Sequence, residues 1–219
     1  MEISPGIHIF EGEGVCSNIY LIDEEILVDT GILGGFEAIL DEMKSENIDF
    51  SKISVIINTH GHYDHIGGNK EFKKLTNARI CAHRLAAKKI ESGKGSCFEI
   101  FRGEPAISKV NSHLETGNQI VSKRHAFNVV HTPGHTDGGI CLYEPERKIL
   151  ISGDTLFSDS IGRTDLPTGS LLDMVRSLKK IKKMQIDLLL PGHGSIRDRD
   201  IKGLVASILC QLPEESRFS

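Results

Sequence analysis

The chain has 219 residues, of which 39% are hydrophobic and 26% are charged, a balance typical of a globular protein with a substantial core. Its formal net charge of -4 provides no basic surface for nucleic acid, and no apolar stretch is long enough to span a bilayer. The first five residues carry an early acid and a proline instead of the basic and apolar pattern of a leader, so we predict a cytoplasmic protein that binds neither nucleic acid nor membrane.

The first half of the chain begins as a meander of strands and then alternates between helices and strands. Short apolar runs between turn residues predict strands over residues 7–10, 19–22, 26–28, 55–57 and 80–82, the first three of them antiparallel. Helical spacing of apolar residues predicts helices over residues 36–46, around 70–75 and from Leu85. The pattern dissolves over residues 91–110, where a lid over a substrate and a plain surface loop both remain open.

The second half follows the same plan, with strands predicted over residues 127–130, 140–143 and 149–151. A helix is predicted from Ser170, which together with Asp173 resembles a capping box. A last helix is predicted from about Asp200 to just before Pro213. Because both halves place strands before helices, we predict an α/β fold in which two sheets pack face to face with helices outside.

One stretch, residues 59–68, concentrates more potential chemistry than any other part of the chain. It places His60, His62, Asp64 and His65 within six positions, between an apolar run and a glycine pair. Imidazole nitrogens and a carboxylate are donors that hold zinc, iron or manganese. The five cysteines are widely scattered and form no C-x-x-C pair, so neither a disulfide framework nor a cysteine-based zinc site is predicted.

The remaining donors come from a local pattern that occurs five times: an apolar run ends, and a glycine-containing loop immediately presents a histidine or an aspartate. These loops present Asp29, His60, His135, Asp154 and His193. If the strand ends share one edge of the sandwich, the loops converge there, because loops held by a rigid sheet place ligands accurately. The strongest donors number seven: His60, His62, Asp64, His65, His135, Asp154 and His193.

Seven donors are too many for one tetrahedral ion, so the count predicts two metal ions with one bridging carboxylate. His60 and His62 alternate onto the same side of an extended segment and are expected to chelate one ion. Asp64 and His65 follow them and can turn towards a second ion. Asp154 is the natural bridge, because a carboxylate has two oxygens whereas each imidazole has one free nitrogen.

Four segments resemble the metallo-β-lactamase fold superfamily, and together they cover nearly the whole chain. They are H-x-H-x-D-H at 60–65, T-P-G-H-T at 132–136, G-D-T-L-F at 153–157 and P-G-H-G at 191–194. The resemblance implies one domain over residues 1–219, folded as an αββα four-layer sandwich. It assigns His60, His62 and His135 to the first metal ion, Asp64, His65 and His193 to the second, and Asp154 to both. It also implies that Asp29 holds the histidine loop by hydrogen bonds.

Residues 160–167, S-I-G-R-T-D-L-P, look like a segment of the hydroxyacylglutathione hydrolases (glyoxalase II) and their short relatives. Persulfide dioxygenases share the G-R-T-D part, so the segment leaves two chemistries open. Arg163 and Asp165 within it either pair with each other and fix the loop, or contact the substrate directly. Glyoxalase II proper carries a C-terminal helical domain that helps to bind glutathione, whereas only a short segment follows His193 here, so other thiols and small acyl thioesters also remain open.

The resemblance implies a dinuclear metal-dependent hydrolase of thioesters of the hydroxyacylglutathione type, with Asp64 and Asp154 as catalytic residues. The expected cofactors are two divalent ions, zinc first, with iron or manganese as alternatives, and the expected partner is a small thioester or thiol-derived molecule. Two cations flanking a water molecule would lower its pKa towards neutrality. Tyr63 either donates to the oxyanion or packs its ring near the loop. The alternatives are a mononuclear iron persulfide dioxygenase, a lactonase and a non-catalytic metal-binding module.

Overall fold

The computed structural model describes residues 1–213, so the last six residues of the predicted domain lie outside the described part of the chain. The first sheet comprises, in spatial order, β1 (Glu2–Ser4), β2 (Ile7–Phe10), β3 (Ile19–Ile22), β4 (Ile26–Val28), β5 (Val55–Asn58), β6 (Arg79–His83) and β7 (Ser112–Leu114). The second sheet comprises β8 (Gln119–Val121), β9 (Ala126–His131), β10 (Ile140–Glu144), β11 (Ile149–Gly153) and β12 (Leu188–Pro191). The helices are α1 (Phe36–Ser45), α2 (Tyr63–Ile66), α3 (Asn69–Thr76), α4 (Arg84–Ser92), α5 (Leu171–Ile181) and α6 (Ile201–Gln211).

Strand direction explains why five loops meet at one edge. The strands from β1 to β4 pair antiparallel, as predicted for the meander, whereas β4 and β5 pair parallel and so end at the same edge. In the second sheet β9 and β11 both pair antiparallel with β10, and β12 pairs parallel with β11. The carboxyl ends of β9, β11 and β12 therefore also share one edge. A hydrogen bond from the Ile140 amide to the Thr59 carbonyl (2.9 Å) joins that edge to the loop that follows β5.

Alternation along the strands separates the core into three apolar layers. In β3, Ile19 and Leu21 face the cluster that contains α1, α3 and α4, whereas Tyr20 and Ile22 face the second sheet. Leu150 of β11 belongs to a third cluster, which packs the second sheet against α5 and α6. The layers are thus helix, sheet, sheet and helix, and the predicted αββα sandwich is confirmed.

Helix α5 begins where its capping sequence predicts. The Asp173 amide donates to the Ser170 hydroxyl (3.2 Å), which satisfies one of the free amides of the first turn. The reciprocal half of the capping box is not formed, because the Asp173 side chain lies 3.4 Å from Arg176 and the Ser170 amide donates to Gly134. Helix α6 ends at Gln211, before Pro213, as predicted. Within residues 1–213, no helix is long and apolar enough to cross a membrane.

The structure adds elements that the apolar pattern does not reveal. Strands β1, β7 and β8 have three residues each, too few to establish an alternation. Helix α2 begins inside the histidine stretch, and α3 begins at Asn69, close to the predicted start. The segment 91–110 contains one short 3-10 helix, Phe98–Phe101, and is otherwise irregular after the end of α4.

We expect the Phe72→Ala substitution in α3 to lower the free energy of unfolding by about 3–5 kcal/mol. Phe72 is fully buried and packs edge-on against Phe36 of α1, with ring centroids 5.0 Å apart. Urea denaturation followed by circular dichroism measures the loss. The matched control is Leu75→Ala on the same helix, since Leu75 is 43% exposed and should change stability little. Equal losses for the two variants would contradict this account of the core.

Candidate metal centre

The histidine stretch changes its backbone conformation in the middle, and this change divides its donors. His62 has extended dihedral angles (φ -79°, ψ 150°) and precedes the first turn of α2, which carries Asp64 and His65. His62 therefore projects from extended chain and His60 from a bend after β5, whereas Asp64 and His65 project from a helical turn. All four side chains are buried.

The seven predicted donors lie together in two adjacent groups. The first group is His60, His62 and His135, and the second is Asp64, His65, Asp154 and His193. Within each group, the nitrogen or oxygen atoms that could act as ligands lie within 4.8 Å of one another. The sequence assigns the same three histidines to the first ion, but it shares Asp154 between both ions, whereas here Asp154 belongs to the second group.

Short contacts between like atoms mark the centre of each group. His62 Nδ1 and His135 Nε2 are 2.8 Å apart in the first group, and His65 Nε2 and His193 Nε2 are 3.2 Å apart in the second. His193 Nε2 also lies 3.1 Å from Asp64 Oδ2. The donors of each group therefore point towards a common centre.

Asp154 lies between the two groups. Its Oδ1 is 3.2 Å from His65 Nε2 in the second group, and its Oδ2 is 3.5 Å from His135 Nε2 in the first. Gly192 packs so closely here that a β-carbon at that position would lie 2.2 Å from Asp154 Oδ1. The carboxylate thus has the position that a bridging ligand requires, and glycine at 192 leaves room for it.

The hydrogen-bonding state of these side chains fits a divalent cation. Among residues 1–213, seven buried side-chain nitrogen or oxygen atoms lack a hydrogen-bond partner, and four of them are His60 Nε2, His62 Nε2, Asp64 Oδ1 and Asp154 Oδ1. The contact between Asp154 Oδ1 and His65 lacks hydrogen-bond geometry. Leaving such atoms unpaired costs about 1–3 kcal/mol each, whereas coordination to a cation would satisfy those that act as ligands; His62 already presents Nδ1 to the centre of its group.

Burial and neighbouring charges give the two groups different electrostatic character. Burial, reinforced by the nearby histidines, lowers the pKa of His60 well below its usual value and that of His62 to about 3. Both rings are therefore neutral at neutral pH, with a lone pair available for a metal. Burial also opposes the charged form of His65, but nearby carboxylates, first among them Asp154, outweigh it and raise its pKa. Neutral imidazoles beside concentrated negative charge suit a cation.

Asp29 makes the hydrogen bonds that the resemblance implies. Its Oδ1 accepts from the Thr59 amide (2.8 Å), and its Oδ2 accepts from the Thr59 hydroxyl (2.6 Å). His65 Nδ1 lies 2.8 Å from the same Oδ2. A proton held on Nδ1 by this contact leaves Nε2 free to face the second group. Asp29 has a φ of 60°, a left-handed conformation that aspartate and asparagine tolerate better than most residues.

Arg163 and Asp165 form an ion pair, which is one of their two predicted roles. Arg163 Nη2 lies 2.7 Å from Asp165 Oδ2, and Arg163 Nε lies 2.9 Å from Oδ1. Both side chains are more than half exposed, so the pair contributes little to stability. The Arg163 carbonyl accepts from His135 Nδ1 (2.7 Å), which ties the loop after β11 to the first group through its backbone.

Tyr63 packs under the irregular segment, which is the second of the two roles predicted for it. Its amide donates to the Ser96 carbonyl (2.8 Å), and its ring lies 5.9 Å from that of Phe101. A β-carbon at Gly103 would lie 2.6 Å from the Tyr63 ring, so glycine allows the close approach. Burial raises the pKa of the Tyr63 phenol. Part of segment 91–110 therefore covers α2, next to the second group.

A buried amide pair that sequence reasoning missed closes the histidine loop. Asn58 Nδ2 donates to Asn69 Oδ1 (3.1 Å), and Asn69 Nδ2 donates back to Asn58 Oδ1 (2.9 Å). The two residues flank the stretch 59–68, so the pair holds its two ends together. The Thr30 hydroxyl lies 3.1 Å from both Asn69 Oδ1 and the His65 carbonyl. The signal in the sequence was Asn58, a polar residue at the end of the apolar run 55–57.

Comparison with known proteins adds three kinds of similarity. The model of the metallo-beta-lactamase superfamily matches residues 13–193. A probable metallo-hydrolase from Methanocaldococcus jannaschii is 32% identical over 203 residues, covering 86% of this chain and 92% of the relative. Hydroxyacylglutathione hydrolase GloC from Haemophilus influenzae is 30% identical over 188 residues, covering 82% and 85% respectively. A protein solved in a di-iron-bound form is 26% identical, with a TM-score of 0.76, covering 91% of this chain and 96% of that one.

Proposed function

This chain belongs to the metallo-beta-lactamase superfamily, and from that membership we propose that it is a dinuclear metal-dependent hydrolase of small thioesters of the hydroxyacylglutathione type. The observation that carries the proposal is the set of seven nitrogen and oxygen donors in two adjacent groups, with Asp154 between them. Similarity to a probable metallo-hydrolase over most of both chains supports hydrolysis as the reaction class.

In this proposal each group of donors holds one divalent ion. His60, His62 and His135 would hold the first ion, Asp64, His65 and His193 would hold the second, and Asp154 would be shared between them. Bound in this way, divalent ions polarise a carbonyl oxygen and lower the pKa of water. Zinc is the first choice for a set of histidines and aspartates, while the di-iron form of a similar protein makes iron the main alternative.

The residues around the donors have separate tasks. Asp29 keeps a proton on His65 Nδ1 and so directs Nε2 towards the second ion. The Arg163 carbonyl accepts from His135 Nδ1 and so keeps a proton on that nitrogen, which leaves His135 Nε2 facing the first group. The neutral state of His60 and His62 keeps their lone pairs available at neutral pH. The contacts of Asp29 and of the Arg163 carbonyl set the directions of the His65 and His135 rings before a metal is bound.

The thioester class rests on two supports. One similar relative is a hydroxyacylglutathione hydrolase, and the match covers most of both chains. In addition, a thiol has a pKa near 8.5, so its anion can leave without protonation by a side chain. That property suits a centre in which the carboxylates Asp64 and Asp154 are engaged with metal. We further propose that the partner is a small molecule with a thiol-derived leaving group.

The test combines metal analysis with substrate assays on protein purified without added metal. We expect about two zinc or iron ions per chain and hydrolysis of the lactoyl thioester of glutathione. A chelator should abolish the activity, and the lost metal should restore it. One iron per chain together with oxygen consumption on a persulfide would replace the proposal with a dioxygenase. Partner binding that is unaffected by metal removal, without any turnover, would favour a non-catalytic module.

A further inference from the structure

We infer that Asn18 is a positioning residue for the second ligand group, because it fixes the loop 191–194 and thereby His193. The inference rests on the proposed role of His193 as a metal ligand. Asn18 lies immediately before β3 in the first sheet, whereas the loop it holds follows β12 in the second. The contact therefore joins parts of the chain that are 173 to 176 residues apart.

Asn18 holds three backbone carbonyls around His193. Its Nδ2 donates to the Pro191 carbonyl (3.1 Å) and to the Gly194 carbonyl (2.9 Å). Its backbone amide donates to the Gly192 carbonyl (2.7 Å). Asn18 is only 2% exposed, so water cannot readily replace these bonds. The two residues that precede His193 and the one that follows it are all fixed by a single residue.

Two further contacts complete the attachment of the loop. The Tyr20 hydroxyl donates to the Pro191 carbonyl (2.7 Å) from the face of β3 that packs against the second sheet. The Gly12 amide donates to Asn18 Oδ1 (3.1 Å), which fixes the orientation of the Asn18 amide so that Nδ2 faces the loop. Asn18 is thus itself held in place, as a residue that positions another must be.

His193 depends on its backbone more than His65 and His135 do. His65 Nδ1 is held by Asp29 and His135 Nδ1 by the Arg163 carbonyl. Within residues 1–213 the hydrogen bonds of His193 run through Nε2, the atom that faces the second group, and none runs through Nδ1. Its side chain is also 26% exposed, the largest value in the second group. The loop 191–194 must therefore supply the positioning that a hydrogen bond to Nδ1 supplies elsewhere.

The test is the Asn18→Asp substitution, which keeps the shape of the side chain. A carboxylate oxygen then takes the place of the amide NH2 group, so an acceptor faces the Pro191 and Gly194 carbonyls where two N–H donors stood. Protein stripped of metal is titrated with Zn²⁺ in competition with a chromophoric chelator. We expect the wild type to bind two ions, and the variant to bind one ion as tightly as the wild type and the other about 10–100-fold more weakly. The first ion should be unaffected, because its ligands lie on other loops.

Two additional variants keep the result decisive. Tyr20→Phe removes only the hydroxyl bond to Pro191, so it should weaken the same ion by a smaller factor, and it decides the question if Asn18→Asp does not fold. Glu144→Gln is the control: Glu144 is buried, hydrogen-bonds to His125, and lies at the end of β10 away from the ligands. It should lower stability without changing either affinity.

A double substitution identifies which ion is affected. In a His193→Ala background, Asn18→Asp should cause no further weakening, whereas in a His62→Ala background it should weaken the remaining ion. A folded Asn18→Asp protein with both affinities unchanged, or with both weakened equally, would overturn the inference. A wild-type protein that binds fewer than two zinc ions in this titration, and that carries fewer than two iron ions when purified, would instead overturn the proposed function.

Discussion

The Asp154→Asn substitution is expected to lower kcat/KM for thioester hydrolysis by about 1,000-fold or more, which corresponds to ~4 kcal/mol. Asp154 lies between the two groups: Oδ1 is 3.2 Å from His65, and Oδ2 is 3.5 Å from His135 and 3.6 Å from His193. An asparagine offers a single oxygen, and its amide nitrogen does not bind a metal. The substitution also removes the negative charge that lies between the two sets of imidazoles, so both ions should be bound more weakly.

The measurement is steady-state hydrolysis with excess zinc, together with the metal content after dialysis. The matched control is Asp159→Asn, which makes the same chemical change at an exposed position that follows β11 and accepts from the neighbouring Ser160 hydroxyl (2.8 Å). It should retain nearly full turnover. An Asp154→Asn protein that kept both metal ions and full activity would refute the bridging assignment.

The Asp29→Asn substitution is expected to weaken metal binding by about 10–100-fold although every proposed ligand keeps its identity. The variant should keep the left-handed backbone at this position, since asparagine tolerates a φ near 60°, so the effect isolates the carboxylate. The amide NH2 group would replace one of the two carboxylate oxygens. It would stand either in the place of Oδ1, which accepts from the Thr59 amide, or in the place of Oδ2, which accepts from the Thr59 hydroxyl and faces His65 Nδ1. At least one of these buried groups then loses its partner, which costs about 1–3 kcal/mol of stability.

Zinc titration and urea denaturation of the metal-free protein measure the two effects of Asp29→Asn separately. Thr59→Val is the graded control, because it removes only the hydroxyl bond to Asp29 Oδ2 and leaves the contact with His65 intact. Its effect on metal affinity should be smaller than that of Asp29→Asn. Metal affinities within twofold of the wild type for Asp29→Asn would mean that the carboxylate does not direct His65.

The loops that carry the predicted donors could be found in the sequence because each loop follows an apolar strand. Apolar residues predict the strands, and parallel strands end at the same edge of a sheet. The convergence of the loops could therefore be predicted from local sequence patterns. The long amphipathic helices were predictable for the same reason, and α5 and α6 begin next to Ser170 and Asp200 as expected. Helix α2 was not predictable, because its four positions include Asp64 and His65, whose identities serve the site and leave no helical pattern.

The hydrogen bonds that support the centre were beyond prediction from the sequence. An asparagine at the end of a strand or in a loop is equally typical of a turn, and only the folded chain shows that Asn58 faces Asn69 or that Asn18 faces a loop 173 residues away. The partners in these contacts are backbone carbonyls or distant amides, which carry no mark in the sequence. The packing of Tyr63 under residues 96–103 could not be predicted for the same reason. It depends on Gly103, which contacts the Tyr63 ring only in the folded chain.

The division of the donors between the two sheets has a thermodynamic consequence. His60, His62, Asp64 and His65 follow a strand of the first sheet, whereas His135, Asp154 and His193 follow strands of the second. On the proposed assignment each ion takes ligands from both sheets and so cross-links the two halves of the chain. Ion binding and folding are then linked equilibria. Free metal at 100 times its Kd would raise the free energy of unfolding by about 2.7 kcal/mol for each ion. The concentration of free metal would then set the stability of the fold as well as its chemistry.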